Sequence, residues 1–261
     1  MKVLIKLGGT LMDDSAKRHD LAQQLAEAAK THELVVVHGG GKQVTRFLEE
    51  RGVKSSFVGG LRVSDENVID AVTKVIAGGV NKQFVAALCA VGRSAVGISG
   101  VDGLLTTAQK VSAELQFVGK PQHTNSKLLD LLLGGGFVPV VACIAADAEG
   151  NIYNVNADQM AVSCAVGWNA DKLFFLTDVP GVKNVDGNVL PELTREEVSD
   201  LINSGVAHGG MQAKLESALW ALEGGLSEVV IAAGQQPEIC SRLLAGERIG
   251  TRLRVATGQR A

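Results

Sequence analysis

Along the chain, short runs of β-branched and apolar residues alternate with longer stretches whose apolar positions recur at helical spacing. That alternation predicts an α/β protein: an open αβα sandwich with a mostly parallel central sheet and helices on both faces. Residues 3–7 form the first expected strand, and residues 15–31 a helix with Leu21, Leu25, Ala28 and Ala29 on one face. A buried strand at 34–37 ends in His38-Gly39-Gly40-Gly41 and hands over to a helix at 42–51. Residues 66–91 read as one long helix with a bend expected at Gly78-Gly79. A strand at 95–98 leads into a β-rich excursion over 104–119, then a helix at 126–133 and a strand at 138–142. A turn at 148–151 opens Asn154-Val155-Asn156-Ala157-Asp158 and a helix to about 166. Strands at 173–176, 228–232 and 250–255, the last at the sheet edge, and helices at 194–202 and 211–222 complete the pattern. No low-complexity linker interrupts it, so any two lobes share one sheet, with the functional boundary near Asp171.

Composition narrows the function. The net charge is -3 with acids and bases interspersed, so the clustered basic face of a nucleic-acid binder is missing. Cys89, Cys143, Cys164 and Cys240 lie far apart without CxxC spacing, which predicts buried thiols in a reducing compartment rather than disulfides or a metal site. Met1 runs directly into an expected core strand, which leaves no signal peptide. The most apolar region, 128–146, contains Asp130, Pro139 and a Gly triplet and cannot span a membrane. A soluble, cytoplasmic protein is expected.

Five segments carry candidate chemistry. Lys6 interrupts an apolar strand just before Gly8-Gly9, at a carboxyl end where open α/β sheets bind ligands. Its plain alternative is a lysine reaching out to water. Gly39-Gly40-Gly41 lets backbone N–H groups at a helix start approach an anion, although it matches neither a P-loop nor a dinucleotide fingerprint, since Gln43 follows Lys42. Arg62, in an expected loop, offers a fork for a carboxylate, or else pairs with nearby Asp65 and Glu66. Asn154, Asn156 and Asp158 share a face if the segment is extended, with one of the latter two free to cap the next helix. Lys214 falls in the expected first turn of a helix, where a cation is unfavourable unless an anion joins it.

In order and spacing, over essentially the whole chain, these segments resemble the amino acid kinase family. The resemblance rests on Lys6-Leu7-Gly8-Gly9, His38-Gly39-Gly40-Gly41, Gly60-Leu61-Arg62-Val63, Gly78-Gly79-Val80-Asn81-Lys82, Asn154-Val155-Asn156-Ala157-Asp158, Thr177-Asp178-Val179-Pro180-Gly181 and Gly210-Met211 with Lys214. It implies an amino acid kinase-like fold in which residues 1–171 bind an acyl amino acid and dimerise while 172–261 bind ATP. By the same resemblance, Lys6 and Lys214 are the transition-state lysines, and Asp158 orients them. Gly8, Gly9, Gly40 and Gly41 supply N–H groups to phosphate, and Gly40, Gly41, Arg62 and Asn154 hold the substrate. ATP lies on Asp178, Val179, Gly181, Val182, Lys183, Val206, Ala207, His208 and Met211, with Mg²⁺ held mainly through its phosphates.

The implied reaction is ATP-dependent phosphorylation of the side-chain carboxylate of N-acetyl-L-glutamate to N-acetyl-L-glutamyl 5-phosphate, in arginine biosynthesis. A carboxylate is already ionised at neutral pH, so it attacks phosphorus in line without a general base. Two other readings stand beside it. One is a kinase of carrier-protein-linked aminoadipate or glutamate in lysine biosynthesis, which the net acidity disfavours; the other is a non-catalytic ATP or amino-acid sensor, which two retained lysines and Asp158 disfavour. The first strand begins at Lys2, leaving no room for the amino-terminal arm of arginine-inhibited relatives, so an arginine-insensitive homodimer is expected.

Overall fold

In a computed structural model, which describes residues 1–254, the chain builds one eight-stranded sheet. Its order is Glu192–Leu193, Thr251–Arg254, Glu228–Ala233, Lys172–Thr177, Lys2–Leu7, Glu33–His38, Val138–Ala142, Ala95–Ser99. Every neighbouring pair is parallel except Thr251–Arg254 against Glu228–Ala233.

The first strand takes a central place because both of its faces are apolar. Val3, Ile5 and Leu7 pack into one core with Val36, Phe174 and Leu176, while Leu4 packs into the other with Val35, Val37 and Phe175. Strand alternation therefore turns Lys6 toward the Leu4 side. Leu21 and Leu25 of the helix Ser15–Ala28 cover the first core. The helices Ala157–Gly167 and Gly209–Glu223 cover the second, through Met160, Ala161, Leu215 and Ala218. The small Ala161 and Ala165 are fully buried and let the former helix lie close against the sheet. From the first strand the chain runs outward to Glu33–His38 and later returns on the opposite side at Lys172–Thr177. Such a reversal opens a crevice at the strands' carboxyl ends.

A small closed barrel of Thr106–Lys110, Val118–Thr124, Ile144–Ala146 and Ile152–Val155 stands beside the sheet. Its second strand runs past Gly119, where the β excursion was expected to end. Lys120, Gln122 and His123 are exposed there, and this polar outer face masks the strand in the sequence. Buried hydroxyls tie the barrel to the helix Ala157–Gly167: Thr106 lies 2.9 Å from Thr124, and Thr124 2.8 Å from Ser163.

Other expectations need correction. Arg62 lies in a hairpin, Phe57–Val58 against Leu61–Arg62, whose turn uses Gly59 and Gly60 at φ 56° and 79°. The expected bend near Gly78-Gly79 is a π-helical stretch, Thr73–Val80, between Glu66–Val72 and Asn81–Ala90. Helices Gly9–Asp13 and Ile239–Leu244 were not foreseen. Met211 and Gln212 already donate to His208 O, so that helix begins at Gly209 and Lys214 falls in its second turn. The two-residue strand Glu192–Leu193 replaces Thr251–Arg254 at the edge. Val255 and the rest of 255–261, the end of the expected carboxyl-terminal lobe, lie outside the described residues. Cys89 is exposed, whereas the other three cysteines are buried. Among the described residues, no helix is long and apolar enough to cross a membrane.

Gly100 joins sheet to barrel: its N–H donates to Ile144 O at 2.8 Å, and a Cβ there would stand 2.6 Å from the same oxygen. Because the obstruction is backbone, Gly100→Ala should lower the unfolding free energy by about 1–3 kcal/mol in urea titration.

Candidate active site

Lys6 emerges from the central strand beneath the helix Ala157–Gly167, and Asp158 is that helix's second residue. Asn156 caps the helix, its Oδ1 accepting from the N–H groups of Asp158 at 2.9 Å and Gln159 at 3.2 Å. The Asp158 carboxylate is thereby free for other partners. Its Oδ1 stands 2.8 Å from Lys6 Nζ, off the line of a hydrogen bond, and its Oδ2 accepts from Lys214 Nζ at 2.7 Å.

The three residues are only 9%, 7% and 8% exposed for Lys6, Asp158 and Lys214, so Lys6 does not reach out to water. Burial pushes the Asp158 carboxyl up, but the charges of Lys6 and Lys214 overcome it and hold it at about 2. Burial, reinforced by the charge of Lys6, pushes the Lys214 ammonium down. Two ammonium groups facing one carboxylate leave unbalanced positive charge in a secluded place, which favours an incoming anion.

The glycine turns converge here. Gly8 N–H donates to Leu176 O at 2.8 Å, and a Cβ on Gly8 would lie 3.2 Å from that oxygen. A Cβ on Gly40 would lie 3.0 Å from Ile76 Cγ1. Gln43 bridges the turns, its Nε2 donating to Gly9 O at 3.2 Å. Sequence reasoning noted Gln43 only as a departure from the P-loop; no local signal marks its bridging role.

A cleft of about 600 Å³, counting its open mouth, adjoins the second turn and brings together Gly40, Gly41, Arg62, Asn154 and Asn156. Val44, Val72, Ile76 and Val118 add apolar wall. Arg62 Nη2 donates to Gly41 O at 2.9 Å and Thr45 Oγ1 at 2.7 Å, Nη1 donates to Ser55, and the Phe57 ring lies 4.8 Å away. The alternative pairing with Asp65 is not used, because Asp65 caps the next helix by accepting from Val68 N–H at 2.8 Å. Ser64 connects the two polar walls: its Oγ donates to Arg62 O at 2.9 Å and accepts from Asn154 Nδ2 at 3.1 Å.

A second cavity, about 510 Å³ with its mouth, is lined by Val179, Gly181, Val182, Lys183, Val206, Ala207 and Met211. Gly181 approaches Thr251 so closely that a Cβ would stand 2.8 Å from Thr251 Oγ1. Asp178 and His208 do not line this cavity. Asp178 is exposed and accepts from Thr177 Oγ1 at 3.1 Å, and exposed His208 precedes the helix Gly209–Glu223 with Nδ1 3.2 Å from Gly205 O. Ala157 lines the first space and Met211 the second. Asp158 is the next residue after Ala157, and Lys214 stands one helical turn beyond Met211.

His38 is wholly buried, and burial pushes it down to about 4, aided by the charges of Lys6 and Lys82 against its bond to Gly39. Unfolding would restore its ordinary value of 6.5. The unfolded chain then binds the extra proton, so stability present above pH 6.5 is lost as pH falls toward 4, and Asp158 adds a loss between 3.8 and about 2. The melting temperature should fall across the first window, and His38→Gln should flatten that part of the profile; an unchanged slope would contradict the assignment.

Known proteins resemble this chain in sequence and fold. The Amino acid kinase family model matches residues 1–233. An acetylglutamate kinase of Solibacter usitatus (strain Ellin6076) is 54% identical over 97% of this chain and 99% of its own length. An acetylglutamate kinase of Endomicrobium trichonymphae is 40% identical over 88% of this chain and 92% of its own. Among solved structures, an N-acetylglutamate synthase from Neisseria gonorrhoeae complexed with coenzyme A and N-acetyl-glutamate superposes with TM-score 0.85 at 26% identity, covering 97% of this chain. This chain spans 59% of that one. A Giardia carbamate kinase shares the fold at TM-score 0.72 and 16% identity, over 97% of this chain and 98% of its own. By sequence match and by fold, the chain belongs to the amino acid kinase family.

Proposed function

We propose that the chain transfers the γ-phosphoryl group of ATP to the side-chain carboxylate of N-acetyl-L-glutamate, yielding N-acetyl-L-glutamyl 5-phosphate and ADP in arginine biosynthesis. The observation that carries this reading is the Lys6–Asp158–Lys214 arrangement, next in sequence to Ala157 of the cleft that holds Arg62 and Asn154 and one helical turn from Met211 of the second cavity. The names of the relatives support the substrate. Residues 1–171 hold the acyl amino acid in this reading and 172–261 hold ATP, in a cytoplasmic homodimer.

The chemistry asks little covalent work of the protein. Attacking carboxylate and phosphate repel each other, so the site must align them and neutralise charge on the phosphoryl group in flight. Lys6 and Lys214 supply that charge from opposite sides of Asp158, with N–H groups of Gly9, Gly40 and Gly41 adding fixed dipoles, while the Gly8 N–H expected to join them is taken by Leu176 O at 2.8 Å. Asp158, held ionised, serves as organiser and not as base. Both of its oxygens face lysines, so it has none to spare for a metal. Mg²⁺ would be held mainly through the ATP phosphates rather than by residues of this chain, and would supply neutralisation of their charge.

Acyl phosphate trapped with hydroxylamine measures the reaction directly. Lys6→Ala and Lys214→Ala should each reduce kcat about 10²–10³-fold, the scale for losing one oxyanion-stabilising group. Turnover within threefold of the unmutated chain would refute the assignment. Arg62→Lys should act chiefly on KM for N-acetyl-L-glutamate, since the fork is lost but the charge is kept. Substituting N-acetyl-aminoadipate or omitting the acceptor should abolish product, and light scattering should give twice the chain mass.

A further inference from the structure

The segment Gly78-Gly79-Val80-Asn81-Lys82 touches neither cavity's proposed ligands through Asn81 or Lys82, yet it is built around a buried amide. Asn81 has no exposed surface, and its Nδ2 donates to Val140 O at 2.9 Å and lies 3.0 Å from His38 Nε2. Its Oδ1 accepts from Lys82 Nζ at 3.0 Å, and the same ammonium donates to Gly97 O at 2.9 Å. With Nε2 accepting from an amide N–H, His38 carries its proton on Nδ1, which donates to Gly39 O at 2.8 Å. The bonds thus run in one direction, from Lys82 through Asn81 and His38 to the glycine turn, and each donor polarises the next.

Several features exist to permit this chain. A Cβ on Gly97 would stand 1.9 Å from Asn81 Oδ1, so a side chain in that strand would expel the amide. The π-helical stretch Thr73–Val80 ends immediately before Asn81, and its Ile76 and Val80 lie 3.0 Å and 3.6 Å from where a Gly40 Cβ would be. A Cβ on Gly39 would stand 3.1 Å from that of Ala157, next to Asp158. Among the described residues the N–H of Gly40 has no backbone acceptor.

We infer that Lys82, Asn81 and His38 are positioning residues that fix the Gly39–Gly41 turn, so that its N–H groups meet the phosphoryl group during transfer. The role in transfer rests on the function proposed above. Asn81→Ala should lower kcat at least tenfold while KM for ATP and for N-acetyl-L-glutamate stays within threefold, because the turn would act on the moving charge more than on bound substrate. Lys82→Met, a change at the exposed end of the relay, should lower kcat about threefold and serves if Asn81→Ala does not fold. A second arm needs no turnover. Nitrogen NMR of the unmutated chain should find His38 in the Nδ1–H form, and either variant should speed hydrogen exchange at the Val44 amide, which donates to Gly40 O at 2.9 Å, by at least tenfold for Asn81→Ala and threefold for Lys82→Met. Should the unmutated chain form no acyl phosphate, the substrate reading fails and the exchange arm alone decides the relay. Unchanged Val44 exchange, an Nε2–H ring, or variants whose effect falls on KM with kcat intact would each overturn it.

Discussion

Two ammonium groups sharing one carboxylate out of reach of bulk water is the arrangement on which the rest of the molecule depends. Removing an ion from water costs several kcal/mol even after relaxation, so neither Lys6 nor Lys214 would be tolerated at its depth without Asp158. Asp158 in turn keeps its charge only because both amines face it. The cluster is mutually enforced yet still one negative charge short, and a transferring phosphoryl group is the kind of species that completes it.

Placing three such groups within contact requires elements far apart in sequence. Lys6 comes from the central strand, Asp158 from a helix whose alanines allow close approach, and Lys214 from a second helix on the same face. The cap provided by Asn156 belongs to the same design, because it satisfies the helix start and leaves the neighbouring acid unengaged by backbone. Gln43 and the Lys82–Asn81–His38 chain then tie the glycine turns to this frame from either side.

The sheet, its central strand and most helices were legible because burial on two faces leaves continuous apolar runs, and a lysine inside such a run stands out. Arg62 was legible as a ligand-type residue but not as a hairpin residue, since a two-residue strand offers no period to read. The start of the helix at Gly209 was hidden because two glycines look like a break. The barrel strand through Thr124 was hidden by its polar outer face. The contacts of His38, Asn81 and Gln43, residues noted in the sequence without a role, escaped for a different reason: each acts across the fold, 43 positions apart for His38 with Asn81, and no local pattern encodes such a meeting. Asp178 and His208, carried from family likeness, are exposed and do not line the cavity their neighbours line.

The strand bearing Lys6 is paired along its length with Lys172–Thr177, five registered residue pairs without interruption. Among the described residues, no slack segment separates the halves that would hold acceptor and nucleotide. Drawing the two ligands together by a wide hinge would shear this ladder, so the path to contact must be short: a tightening of the sheet's coil and an inward lean of the rim loops. Compression over a small stroke, rather than the swing of a door, is the kind of motion such a seam permits.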